Sequence, residues 1–141
     1  MTRVYWDTML FAYLTEGNPE FGPTVRATRQ AMLERGHRLC ASMFTLCELA
    51  VLPTKRDDLA AIEALQDLFS STALDVLPLR PDAVPHFARL RATTGVSTPD
   101  ALHLAIAAAA KVDVFLTNDR RLQKLHVPGI GFIAGLDAGL Y

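Results

Sequence analysis

Short apolar runs separated by stretches of helical periodicity restrict the fold of this chain more than any other feature. Arg3–Trp6, His37–Ala41, Ala73–Leu79, Val112–Thr117 and Gly129–Ile133 read as five strands. They are runs of apolar residues, the pattern of strands buried on both faces. Helices are expected between them. Thr8–Leu14 closes at the turn Glu16-Gly17-Asn18-Pro19, and Pro23–Arg35 closes at Gly36. A helix capped by Ser42 is expected to run to Leu52 and stop at Pro53. Another opens at Asp57 or Asp58 and runs to Phe69 on the spacing of Leu59, Ile62, Leu65 and Phe69. Pro81–Ala92, Thr98–Lys111 and a short segment from Asp119 through Leu125 complete the set. Alternating strands and helices predict an α/β fold with a central parallel sheet of about five strands, covered on both faces, in one domain over residues 1–141.

Half of the 141 residues are hydrophobic, enough for a sizeable core, and the net charge of −1 excludes a strongly basic nucleic-acid binder. Two cysteines and four histidines are too few for a disulfide framework or a zinc site; Cys40 and Cys47 are expected as reduced, mostly buried thiols. No secretory leader or membrane span is evident, so the expectation is a soluble cytoplasmic protein.

Charge is most informative where it is scarce. Between Arg3 and Glu16 the only charged residue is Asp7; from Leu39 to Thr54 it is Glu48; from Ala92 to Ala110 it is Asp100. Asp119 directly follows the apolar run Val114–Thr117 and Asn118. A lone acid in an apolar segment is costly to bury unless something pairs with it. A divalent cation is an economical partner, and carboxylate oxygens suit Mg²⁺ or Mn²⁺. Asp7 and Asp119 fall at the carboxyl ends of strands, the edge where open α/β sheets bind ligands. Each acid also has a plain alternative. Asp100 can complement a helix dipole, Asp119 can cap a helix, Glu48 can lie on an exposed face and Asp7 can be a solvated strand end.

The segments Val4-Tyr5-Trp6-Asp7-Thr8, Thr45-Leu46-Cys47-Glu48-Leu49, Thr98-Pro99-Asp100-Ala101-Leu102-His103-Leu104-Ala105 and Phe115-Leu116-Thr117-Asn118-Asp119, in this order, resemble the PIN-domain family and its VapC-like toxin branch. The resemblance spans essentially the whole chain. It implies a three-layer α/β/α PIN-like fold and a metal-dependent endoribonuclease, with Asp7, Glu48, Asp100 and Asp119 as the acidic, metal-holding site. Thr8 and Asn118 match small polar positions beside the metals and are expected to bond the carboxylates or a metal-bound water. The resemblance also implies a cognate antitoxin and a homodimer. One departure is Met9, where the family often has Asn or Ser.

His103, one turn after Asp100, reads as a support residue or a satisfied core histidine. Thr45, one turn before Glu48, steadies that side chain, points at substrate or merely packs. Arg120, Arg121 and Lys124 are candidates for RNA phosphates or simply solvated charge. Tyr5, Trp6, Phe11 and Tyr13 read as core or interface. A receiver-like phosphoacceptor domain needs an acid adjacent to Asp7, and a haloacid-type phosphatase needs an acid at Met9. A dinucleotide binder needs a glycine-rich first turn. The remaining alternatives are a catalytically idle PIN-like binding or scaffold protein and an RNA-processing nuclease with no antitoxin.

Overall fold

The computed structural model describes residues 1–137; the last four residues of the expected domain lie outside it. Five strands, β1 (Arg3–Trp6), β2 (Arg38–Ser42), β3 (Leu74–Leu77), β4 (Val114–Leu116) and β5 (Phe132–Ala134), pair in the order β3-β2-β1-β4-β5, all parallel. The helices are α1 (Thr8–Thr15), α2 (Gly22–Glu34), α3 (Met43–Lys55), α4 (Leu59–Ser70), α5 (Val84–Thr93), α6 (Thr98–Ala109) and α7 (Arg120–Gln123). Among the described residues none is long and apolar enough to cross a membrane.

Side chains alternate across a strand, so β1 feeds two cores. Val4 and Trp6 pack with Leu10, Phe11, Val25, Met32, Leu49, Leu65 and Phe69, from α1 to α4. Tyr5 packs on the other face with Leu90, Leu104, Ile106, Phe115 and Leu122, from α5 to α7 and β4. This is the expected α/β/α layering. It places β1 at the centre, with β4 beside it on the side where the strand order reverses.

Local chemistry moved several boundaries. α3 runs through Pro53 to Lys55 rather than stopping at Leu52. The proline falls in the last turn, where one lost donor is tolerated, and the Thr54 hydroxyl bonds the Ala50 carbonyl at 2.7 Å. The helix expected from Pro81 opens instead as a 3₁₀ turn over Pro81–Ala83. Pro85 has no N–H to offer the Pro81 carbonyl, so the Val84 N–H takes it and the α-helix starts one turn later. Strands β3 and β4 are shorter than expected, and β5 begins at Phe132 because the chain first turns at Pro128 and Gly129, where the Ile130 N–H bonds the Val127 carbonyl at 3.0 Å. Cys40 is buried, as expected, and burial pushes its thiol up to about 11; Cys47 is exposed, contrary to expectation. Thr45 and Leu49 are the inward residues of α3, and Cys47 lies between them on the opposite face.

The approach to β5 depends on glycine. Gly129 has φ +102°, and a Cβ there would stand 2.5 Å from the Ala108 carbonyl oxygen. Gly129→Ala should therefore cost roughly 2–4 kcal/mol and lower the melting temperature by roughly 7–14 °C. Gly95→Ala has open space around it and should be close to neutral in the same thermal unfolding experiment. Equal melting temperatures for the two variants would contradict this account.

Candidate functional site

Asp7 is the first residue beyond β1. Its N–H continues the ladder to the Leu116 carbonyl at 2.9 Å, and its side chain caps α1 by accepting the Thr8 N–H at 2.9 Å. The residue is only 9% exposed. Its other oxygen accepts the Thr117 hydroxyl at 2.8 Å. Burial pushes the Asp7 carboxyl above the ordinary aspartate value, Asp100 adds to the rise, and the bond from Thr117 and the nearby His103 oppose it.

Thr117 occupies the equivalent place beyond β4 and is completely buried. Its hydroxyl oxygen also accepts the Asp119 N–H at 3.1 Å, so one hydroxyl ties together the two acids at adjacent strand ends. Sequence reasoning gave Thr117 no role. The available signal was a hydroxyl ending an apolar strand two residues before an acid, a spacing suited to a local side-chain turn.

Asp119 caps α7 and accepts Arg121 three times: the backbone N–H at 2.9 Å, Nε at 3.3 Å and an η nitrogen at 2.9 Å. Arg121 holds its carboxyl below the ordinary range. Arg121, expected as a phosphate contact, is thus engaged by an acid, while Arg120 and Lys124 are exposed.

Glu48 projects from α3. Its Oε1 accepts the Thr8 hydroxyl at 2.6 Å and stands 2.5 Å from His103 Nε2. Partial burial pushes the Glu48 carboxyl up, but the bonds from His103 and Thr8 outweigh it, and the net shift is downward. Thr8 therefore bonds a carboxylate, as anticipated. Thr45 does not reach Glu48; it is fully buried and closes a reciprocal cap with Ser42 at the start of α3. Asn118 reaches the Tyr13 hydroxyl at 3.4 Å rather than a carboxylate. Asp100 sits in the first turn of α6, half-buried, and its carboxylate accepts no hydrogen bond from the described residues.

Asp7, Glu48, Asp100 and Asp119 all line one cavity of about 310 Å³, with Thr8, Met9, Tyr13, His103, Thr117 and Asn118. The cavity lies beyond the carboxyl ends of β1 and β4, at the reversal of strand order. Met9, the departure from the family pattern, is half-exposed on its wall. Through Thr8, Met9 and Glu48 it adjoins a wider groove of about 620 Å³ between α1, α3 and α4. As the side chains stand, no three His, Cys, Asp or Glu among the described residues are grouped to hold a metal. Two of the four carboxylates are turned to protein partners, Glu48 to His103 and Asp119 to Arg121. The donor set nonetheless fits a hard divalent cation: four carboxylates open on one cavity, and buried Asp7 has no Lys or Arg partner among the described residues.

The PIN domain family matches residues 4–127, and the chain belongs to that family. No curated protein sequence matches it. Among solved structures, its fold is similar to that of VapBC2 from Rickettsia felis bound to a DNA fragment from its promoter (TM-score 0.75, 14% identity, 95% of this chain and 98% of that one). It is similar also to a toxin–antitoxin complex from Klebsiella pneumoniae (0.68, 19%, 90% and 94%). A third is VapC20 from Mycobacterium tuberculosis, a sarcin-ricin loop cleaving toxin (0.67, 17%, 79% and 86%).

The raised value at Asp7 has a stability consequence. The folded state holds this proton more tightly than the unfolded chain does. The resulting contribution is complete below the ordinary aspartate value and is lost as pH rises through the folded one. In the metal-free protein at pH 7–8, Asp7→Asn should melt higher than wild type. The difference should fade as pH falls toward about 4. Thermal melts across pH check this, and an Asp7→Asn protein less stable at every pH would contradict it.

Proposed function

We propose that this protein is a divalent-metal-dependent endoribonuclease and the toxin of a toxin–antitoxin pair. The observation that carries the reading is the meeting of Asp7, Glu48, Asp100 and Asp119 at one cavity on the switch point of a PIN-family sheet. Similarity in fold to structures described as toxins and toxin–antitoxin complexes supports the biological half.

In this reading the four carboxylates hold Mg²⁺ or Mn²⁺. When bound, such ions supply the positive charge that lets water attack a phosphodiester in line and that stabilises the departing oxygen. The chain's own residues do the rest. Thr117 and the Thr8 N–H fix the Asp7 oxygens, and Thr8 and His103 fix Glu48. Asp100, without a hydrogen-bond partner among the described residues, is the carboxylate most available to a cation. Arg120 and Lys124, exposed in the segment that follows Asp119, suit RNA phosphates. The antitoxin is expected to cover the groove between α1, α3 and α4. Leu49, Leu52, Leu65 and Leu68 there offer an apolar surface that reaches the acids through Thr8 and Glu48. The protein would act in the cytoplasm, alongside its RNA.

Purified protein should cut RNA with Mg²⁺ or Mn²⁺ and stop when a chelator is added. Asp100→Asn should lose at least about 100-fold in rate while melting like wild type. Induced expression without the antitoxin should arrest growth, and the Asp100→Asn chain should not. Wild type that binds Mn²⁺ but cuts no single-stranded or structured RNA would make this a binding module instead. Harmless overexpression of an active nuclease would favour an RNA-processing role.

A further inference from the structure

We propose that Tyr5 and His103 form a buried positioning pair that aims the Glu48 carboxylate, so that His103 serves the reaction through Glu48 and does not touch the RNA. The proposal rests on the nuclease reading above. His103 is 2% exposed, and both ring nitrogens are committed. Nδ1 stands 2.7 Å from the Tyr5 hydroxyl, and Nε2 stands 2.5 Å from Glu48 Oε1. A carboxylate only accepts, so Nε2 carries the proton that faces Glu48 whichever charge the ring bears. The Tyr5 hydroxyl donates or accepts as needed and satisfies Nδ1 in either case.

The pair is itself anchored. The Tyr5 hydroxyl is 2.9 Å from Ser42 Oγ, and Ser42 is the N-cap of α3, the helix that carries Glu48. The contacts leave α3 at its first turn, pass through Tyr5 on β1 and His103 on α6, and return to α3 at Glu48. Phe44 tilts against the imidazole at 5.1 Å and Tyr5 meets it edge-on at 5.9 Å, which holds the ring plane. Oε1 of Glu48 also takes the Thr8 hydroxyl. Among the described residues both bonds fall on Oε1, which leaves Oε2 as the oxygen available to a cation. A histidine that only filled the core would need neither a carboxylate nor a phenol at its nitrogens; its neighbours in the helix, Ala101 and Leu104, supply packing without them.

The test compares wild type with His103→Leu, His103→Gln and Tyr5→Phe, by calorimetric titration with Mn²⁺, by kcat and KM on RNA, and by thermal melting. Leucine removes the Nε2 donor; the glutamine amide places an N–H close to it. His103→Leu should weaken Mn²⁺ binding and lower kcat by about 10–100-fold, with KM for RNA little changed. His103→Gln should recover most of both, and Tyr5→Phe should lose a few-fold. Wild-type Mn²⁺ affinity and kcat in a folded His103→Leu protein would overturn the proposal. So would a folded His103→Gln that fares no better than leucine. Should His103→Leu fail to fold, the unmutated ring decides. Wild type should show an exchange-protected His103 Nε2–H proton in its NMR spectrum, and Glu48→Gln should shift it. Absence of that proton, or no shift, overturns the pairing. A wild-type chain that neither binds Mn²⁺ nor cuts RNA would sink the nuclease reading, while the Nε2–H signal still judges the pair.

Discussion

A carboxylate buried at the end of the central strand sets the terms for everything around it. β1 has β2 on one side and β4 on the other, so the residue that follows it is enclosed by neighbouring strands and by the helix it starts. Asp7 occupies that place with one hydroxyl and one backbone N–H for company. These satisfy hydrogen bonds but bring no net positive charge, so desolvation prevails and the proton is held more tightly. A fold seeking only stability would place an apolar or amide side chain here. Keeping an acid buried at this sheet edge is intelligible if a cation is the missing partner.

The other three acids are handled differently, and the differences divide the site. Glu48 and Asp119 receive donors from within the chain, and each is held below its ordinary value. Asp100 receives none from the described residues, and it adds to the rise at Asp7. Half of the negative charge is therefore compensated internally, and half is left facing the cavity. Four converging carboxylates with no such compensation would repel one another. Thr117 contributes by touching Asp7 and the backbone of Asp119 together, which ties the ends of β1 and β4 at one separation.

Much of this was legible in the chain, for a definite reason. An acid alone in an apolar segment stands out, because burial without a partner is costly; Asp7, Glu48, Asp100 and Asp119, which line one cavity, were all singled out that way. The β/α alternation was legible because strands buried on both faces carry apolar residues at every position. Threonines were not legible in the same way. Thr45 and Thr117 look alike in sequence, each near an acid, yet one folds back on Ser42 to cap a helix and the other reaches across to Asp7. A short hydroxyl takes whichever partner tertiary packing brings closest. The partners taken by Asn118 and Tyr5 were out of sight for the same reason. Asn118 turned to Tyr13, and Tyr5, expected as core or interface, does lie in the core but uses its hydroxyl on His103. Pro53 misled at a different level, because a helix stop rule written for interior turns was applied to a last turn.

The two internally compensated acids are not equally bound. Arg121 is 85% exposed, so its ion pair with Asp119 is screened by water and salt and is readily exchanged for another partner. The His103 contact to Glu48 is different: the ring is buried, packed by Phe44 and Tyr5, and tied through Ser42 to the same helix. Turning Asp119 toward a cation requires only that a surface arginine swing away. Turning Glu48 from His103 would give up a 2.5 Å contact and leave the buried Nε2 with only the Thr8 hydroxyl, 3.1 Å away, a larger penalty. On the proposed reading, an ion would reorganise the side nearest solvent and leave Oε1 of Glu48 where His103 holds it. Among the described residues two carboxylates are thus engaged by protein partners, Asp119 by an exposed arginine at the rim and Glu48 by a buried histidine.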